Sequence, residues 1–414
     1  MRITMAHPTD HTGVARLPFR ERLREWDLPG MHQVIGIHRH EVRLVEVDGL
    51  AYVAKELPDD LVRREYRLLR DLADDGLPTA TVVAAVTDRP NGGDGMLVTR
   101  HLDYSLPYRS LLSGRGLTIP FLSDRLLDAL VGLLVRLHLA GFYWGDCSLS
   151  NALFRRDAGT LAAYVIDVET GERHNELTAG QRQLDLAIAC ENVAGGLLDL
   201  QMADRLTADI DPFTVADDLA HRYDALWAEL THDTPIAAGD AMAVRTRLDR
   251  LHELGFDAGE IEVVSGAGGD VVRVTPRVVE HGFHADRLAH LTGLDAGENQ
   301  ARRMLDDIRA FGTTMVGPDG RHPPENVVAV RWLDRRFEPI IAAIPDDLLS
   351  RLEAAEIFHQ LLEHRWFLAE RVGHDIALED ALADYLDHVL SRSEHERVHI
   401  DSPTAELPRI EPLP

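Results

Sequence analysis

Phe142-Tyr143-Trp144-Gly145-Asp146-Cys147-Ser148-Leu149-Ser150-Asn151 is the most informative run of this chain. It follows an apolar, helix-spaced run over 121–141 and precedes two short strand-like runs, Ala152–Phe154 and Ala163–Asp167. Asp and Asn both favour turns, so Asp146 and Asn151 fit an ordinary loop. A carboxylate and an amide five residues apart also suit other work: the carboxylate can take a proton, and the amide oxygen can hold a hard cation. Polar residues to either side fall in a suggestive order. Lys55 ends the strand-like run Leu50–Lys55, and Glu65 lies in a helical pattern over 59–75. Asp167 ends Tyr164-Val165-Ile166, and Asp185 opens a helical pattern over 181–200.

Lys55 stands out on composition. The chain has 43 basic side chains, and Lys55 is its one lysine. Lysine carries a compact ammonium on a flexible stem, whereas arginine carries a planar fork. A position that keeps lysine in an arginine-only chain is a candidate for a site needing the compact charge.

Composition bounds the rest. A chain of 414 residues predicts two or three domains, and 45% hydrophobic residues allow sizeable cores. The net charge of −26 argues against nucleic acid or anionic membrane as partner, because both polyanions would be repelled. Cys147 and Cys190 form no CxxC pair. No secretory signal and no membrane-length apolar run is visible, which predicts a cytoplasmic protein.

Along the chain, residues 1–30 read as a polar N-terminal extension with a short helix near Phe19–Trp26. Strands are predicted at His32–Ile37, Glu41–Val47, Leu50–Lys55, Thr79–Thr87 and Met96–His101, with Asp48-Gly49 as a hairpin turn. Gly76 and Pro78 stop the helix between the third and fourth strands. From 207 to 391 the pattern is mainly helical, with helices predicted over 214–231, 236–254, 283–293, 296–311, 346–372 and 377–391. A hairpin is predicted around Gly266-Ala267-Gly268-Gly269, and residues 392–414 read as a mobile tail.

The ordered set resembles the protein-kinase-like superfamily. Tyr52-Val53-Ala54-Lys55 resembles the third-strand V-A-I-K element, and Asp146 to Asn151 match the D-x-x-x-x-N catalytic loop. Ile166-Asp167-Val168-Glu169 stands where the D-F-G aspartate belongs, and Leu97–Leu102 resembles the strand entering the hinge. The resemblance covers about residues 31–200. It implies an α+β, bilobal protein-kinase-like fold, with a β-rich N-lobe over 31–103 and a helical C-lobe over 104–206. A mainly helical C-terminal domain with a small β-hairpin then occupies 207–391. It further implies ATP and Mg²⁺. Lys55 would hold the α/β-phosphates, oriented by Glu65. Asp167 and Asn151 would hold metal, with Glu169 as an added carboxylate, and Asp146 would act on the acceptor hydroxyl. Gly36 would cover the phosphates, and His101 with Leu102 would meet the nucleotide at the hinge.

The departures narrow the branch. Gly36-Ile37-His38-Arg39-His40 carries one glycine where the family often has three. Trp144 stands at the histidine of H-R-D, and Ser148 at the lysine or histidine of the loop. Only 17 residues separate Asp167 from Asp185, with no A-P-E element. These features resemble the atypical branch of bacterial lipopolysaccharide kinases, RIO-type kinases and aminoglycoside phosphotransferases. The implied acceptor is a small molecule, sugar or lipid-linked sugar. A pseudokinase or nucleotide-gated interaction module stays open, as does transfer of another group, such as a nucleotidyl group. Residues 207–391 read as an acceptor-binding or dimerisation region. Asp185 reads as structural, bonding the loop backbone, and His138 as a core or loop-anchoring histidine.

Overall fold

The computed structural model describes residues 1–29, 31–33, 40–90, 93–107, 122–158, 160–206, 210–231, 236–237, 242–246, 257–266, 269–277, 283–315, 323–374 and 376–392. They fall into two compact units: Met1–Arg67 with Thr81–Asp103, and Leu68–Ala80 with the residues from Tyr104 onward.

The first unit is built on an antiparallel sheet. Its strands are β1 (Arg2–Met5), β2 (His32–Gln33), β3 (Glu41–Val47), β4 (Leu50–Leu57), β5 (Val82–Thr87) and β6 (Gly95–Arg100), in the order β1-β5-β6-β4-β3-β2. Asp48 and Gly49 both adopt positive φ, 53° and 76°. That two-residue turn matches the twist of the strands it joins and fixes the β3–β4 register. Strand β5 reads Val-Val-Ala-Ala-Val-Thr and is buried along its whole length, with β1 on one side and β6 on the other.

Residues 1–30 are therefore more than a polar extension. Their strand pairs with β5, and Val14, Phe19, Leu23 and Trp26 join Val45, Tyr52, Val83 and Val98 in one core. These apolar residues are carried on irregular chain, so no period in the sequence reveals them. The helix expected over Phe19–Trp26 is a single turn at Leu23–Glu25. The buried Arg89 guanidinium takes the carbonyls of Phe19 and Glu21, which a longer helix would need for itself.

Helix α1 (Asp59–Asp74) follows β4. Asp59 and Asp60 sit in its first turn, where the helix dipole favours negative charge. It ends at Gly76, φ 69°, with the Leu77 N–H on Leu72 O and the Gly76 N–H on Ala73 O. This is the left-handed C-terminal motif that glycine permits.

The second unit is mostly helical. Strand β7 (Ser105–Pro107) pairs with β9 (Ala152–Asp157), which pairs with β10 (Thr160–Val165). Helix α2 (Leu122–Leu139) leads through β8 (Phe142–Tyr143) into the loop 144–151. Strand β11 (Glu172–Arg173) closes on β8. Helix α3 (Ala179–Met202) opens with a capping box, Thr178 and Gln181 bonding each other's backbone, and α4 (Pro212–Thr231) follows.

Further along, β12 (Ile236–Ala237), β13 (Asp257–Gly266) and β14 (Gly269–Arg277) form a sheet. This corrects the start of the helix expected over 236–254, of which 238–241 and 247–254 lie outside the described residues. Ile236 and Ala237 pair with Val272 and Val271 instead, and helical residues are seen at 242–246. A β-branched neighbour strand offers this apolar pair a ladder that a short helix end would not. The β13–β14 hairpin is as expected.

The last elements are α5 (Phe283–Thr292), α6 (Glu298–Thr313), α7 (Glu325–Trp332), α8 (Glu338–Ala342), α9 (Asp346–Leu349), α10 (Ala354–Val372) and α11 (Leu378–His388). They bury a core containing Met304, Leu305, Trp332, Phe358, Leu361 and Tyr385. The single helix expected over 346–372 is broken before Ala354, where the Glu353 carboxylate turns to the buried Arg155 guanidinium. Among the described residues no helix is long and apolar enough to cross a membrane.

Candidate functional site

In the first unit, strand β4 delivers Lys55 and helix α1 delivers Glu65. The Lys55 ammonium lies 3.2 Å from Glu65 Oε2 and 3.4 Å from Oε1. Glu65 is 1% exposed, and the Lys55 side chain 14%. This is not a surface ion pair. Taking both charges out of water is costly, and such a pair is weak as a source of stability. His101 and Leu102 are half-buried after β6. The His101 N–H donates to Ala51 O at 3.0 Å, so the sheet has already engaged it, and burial pushes its imidazole pKa down. Gly36 lies outside the described residues.

In the second unit the loop 144–151 is tied down at nearly every residue. Gly145 has φ 75°, and a Cβ there would meet the Tyr143 ring at 3.0 Å, so glycine is required. The Asp185 carboxylate, fully buried on α3, accepts from the Trp144 N–H at 2.6 Å, the Gly145 N–H at 2.8 Å and His138 Nε2 at 3.0 Å. The other His138 nitrogen meets Tyr223 Oη at 2.7 Å. Asp185 and His138 thus anchor the loop, as the sequence reading had them. Cys147 is buried and its thiol is pushed well up by burial, which makes it a packing group rather than a nucleophile.

Asp146 itself is exposed. Asn151 Nδ2 donates to its Oδ2 at 3.0 Å and to its backbone carbonyl at 2.9 Å. Both acceptors demand N–H groups, which fixes the orientation of the Asn151 amide and leaves Oδ1 as the atom that could hold a cation. Asn192, on α3, donates from Nδ2 to Asp146 Oδ1 at 3.0 Å and to Cys147 O at 3.1 Å. Sequence reasoning missed Asn192. The available signal was its spacing of seven from Asp185, two helical turns along one face.

The β9–β10 hairpin links Asn151 to Asp167. The Ile166 N–H bonds Asn151 O at 3.1 Å, so the two ends of the hairpin meet. Trp144, fully buried, donates its indole N–H to Asp167 O at 2.9 Å, and Thr170 Oγ1 donates to Trp144 O at 2.8 Å. The residue at the usual histidine place therefore has a positioning bond of its own. Asp167 Oδ1 accepts from the Glu169 N–H at 3.1 Å, an Asx turn that presents the carboxylate at the strand end.

Residues 46–189 match the lipopolysaccharide kinase (Kdo/WaaP) family. The match makes this stretch similar to kinases of the Kdo/WaaP type. That similarity supports a protein-kinase-like fold and an atypical kinase-like phosphotransferase. Residues 225–390 match a domain of unknown function, DUF4032. No curated protein matches the chain. Among solved structures, WaaP in complex with acyl carrier protein is 20% identical, over 61% of this chain and 99% of that one, with TM-score 0.38. An aminoglycoside-3'-phosphotransferase of type VIII is 17% identical, over 59% and 99%, with TM-score 0.33. The yeast RNA polymerase II CTD kinase complex CTDK-1 is 15% identical, over 36% and 49%, with TM-score 0.27.

The matched region 46–189 has oxygen donors that could hold a divalent cation: the carboxylates of Asp167 and Glu169 and the amide oxygen of Asn151. Among the described residues no three His, Cys, Asp or Glu side chains gather as a dedicated metal cage. Two carboxylates and an amide oxygen would suit Mg²⁺, which takes one or two carboxylates and completes its shell with water and substrate phosphates.

Proposed function

We propose that the chain transfers the γ-phosphate of ATP to a hydroxyl, with Mg²⁺ held by Asp167 and Asn151 and supplemented by Glu169. The observation that carries this reading is the buried Lys55–Glu65 pair. Its desolvation cost is hard to explain by stability, and a phosphate-binding ammonium needs an orienting carboxylate. Lys55 neutralises the α/β-phosphates. The metal, when bound, neutralises charge on the β- and γ-phosphates. Asp146 orients the acceptor hydroxyl and takes its proton as the acceptor oxygen bonds to the γ-phosphorus. The bridging bond from that phosphorus to the β-phosphate oxygen breaks, and ADP leaves.

The acceptor proposed is a small molecule, sugar or lipid-linked sugar. The short stretch from Asp167 to Asp185 supports this, because β11 and the Thr178 cap of α3 occupy it and leave little length for a regulated activation segment. The cytoplasm is the proposed location, since ATP is the donor. The reading is tested by ATP turnover, with and without Mg²⁺, for the wild type, Lys55→Met and Asp146→Asn. Turnover that needs Mg²⁺ and falls in both variants is expected; equal turnover in all three proteins sinks it. Nucleotide binding without transfer across a broad acceptor screen would make the chain a nucleotide-gated interaction module instead.

A further inference from the structure

Helix α3 touches the loop 144–147 at two points seven residues apart, about 10 Å along the helix axis. Asp185 takes the backbone N–H groups of Trp144 and Gly145. Asn192 takes the next residue's side chain: Nδ2 bonds Asp146 Oδ1 at 3.0 Å and Cys147 O at 3.1 Å. Asp146 is exposed, and an exposed aspartate swings freely about its terminal torsion. Here each carboxylate oxygen has its own amide, Asn192 on Oδ1 and Asn151 on Oδ2. Two donors from different elements fix the plane of the carboxylate, which one donor cannot do. An amide neither titrates nor attacks, so Asn192 has no chemistry of its own to contribute.

We infer that Asn192 is a positioning residue for phosphoryl transfer, holding the Asp146 carboxylate in the plane that meets the acceptor hydroxyl. The inference rests on the proposed role of Asp146. Near-attack geometry is sensitive to small displacements, and a misplacement of about 1 Å can cost on the order of 100-fold in rate. Loss of the Asn192 amide removes one of the two amides that set the plane of the Asp146 carboxylate. An aspartate at 192 does more, since it removes the donor and sets a second carboxylate against Oδ1.

The test is steady-state kinetics on the full chain for the wild type, Asn192→Ala, Asn192→Asp, the exposed neighbour Glu191→Ala, and Asp146→Asn, with Tm measured for each. The expected result is a kcat lower by roughly 10- to 100-fold in Asn192→Ala and lower still in Asn192→Asp. KM for ATP and Tm should stay near wild type, and Glu191→Ala should be unchanged. The inference is overturned if both Asn192 variants keep wild-type kcat while Asp146→Asn is inactive. It is also overturned if KM for ATP rises while kcat holds. A loss of kcat that tracks a fall in Tm and recovers on cooling would make Asn192 a packing residue. Turnover unaffected by Asp146→Asn would instead remove the proposed function, and this inference with it.

Discussion

Asp157, at the end of β9, caps helix α6 from 143 residues away: its Oδ1 accepts the Gln300 N–H at 2.9 Å. Its Oδ2 accepts from the Asn299 N–H and side-chain amide, both at 3.0 Å. Gln300 in turn donates to Arg156 O at 3.2 Å and to the buried Glu356 carboxylate at 2.7 Å. The hairpin that links Asn151 to Asp167 is thus bonded directly to the region matched to the domain of unknown function. The helix start supplies N–H groups with no partner inside the helix, and a carboxylate from another element meets them.

Asp157→Ala should destabilise the chain by about 2–4 kcal/mol, because it removes a cap and strands buried donors. Gly297→Ala tests the same joint from the other side. A Cβ on Gly297 would sit 2.5 Å from Asp157 Oδ1, and this short side chain cannot retreat without releasing α6. A loss of about 1–3 kcal/mol is expected. Urea unfolding of both variants, compared with Gly180→Ala, where a Cβ meets nothing, checks the pair.

Lys55→Arg should keep the fold and lose activity by roughly 100-fold or more. Arginine preserves the charge but brings a planar fork where a point charge faces Glu65 and phosphate oxygens. Circular dichroism and ATP turnover together decide the matter. Near-wild-type turnover would return Lys55 to an accident of composition.

Asp185→Ala should be among the most damaging single changes. The Asp185 carboxylate is fully buried and holds three donors, and its removal strands the Trp144 and Gly145 N–H groups and His138. A loss on the order of 3–5 kcal/mol is expected, read as lower Tm and poor soluble yield. Asp185→Asn should be milder, since an amide oxygen still accepts.

Glu298 gives a pH-dependent term. Burial pushes its carboxyl up, but bonds from the His284 side chain and from the Ala285 and His284 N–H groups outweigh it and leave the pKa below the ordinary 4.5. A depressed folded pKa adds stability that is present above the unfolded value and is lost as pH falls through the folded one. Glu298→Gln should therefore cost stability at pH 7, and the difference from wild type should shrink as pH drops below about 4.5. Tm at pH 7 and at progressively lower pH reads this directly. A gap that widens on acidification would contradict it.

Much of the region 46–189 was legible because its signals are local. Asp48-Gly49 forces a hairpin turn, Gly76 ends a helix, and the order of Lys55, Glu65, Asp146, Asn151 and Asp167 resembles that of a kinase-like site. Where the reading failed, a distant partner had overruled local preference. Arg89 unwinds the helix expected at Phe19–Trp26, Arg155 draws Glu353 out of the helix expected over 346–372, and β14 recruits Ile236 and Ala237.

Local residue order marked which polar groups are candidates for chemistry and where most elements begin and end. These depend on side-chain type, backbone dihedrals and spacings within a few residues. Only the tertiary structure decided that β1 completes the sheet beside β5, that Asn192 grips Asp146 across 46 residues, and that Asp157 caps α6. Those contacts pair groups whose separation along the chain follows no period, so their directionality appears only when the backbone brings donor and acceptor within about 3 Å.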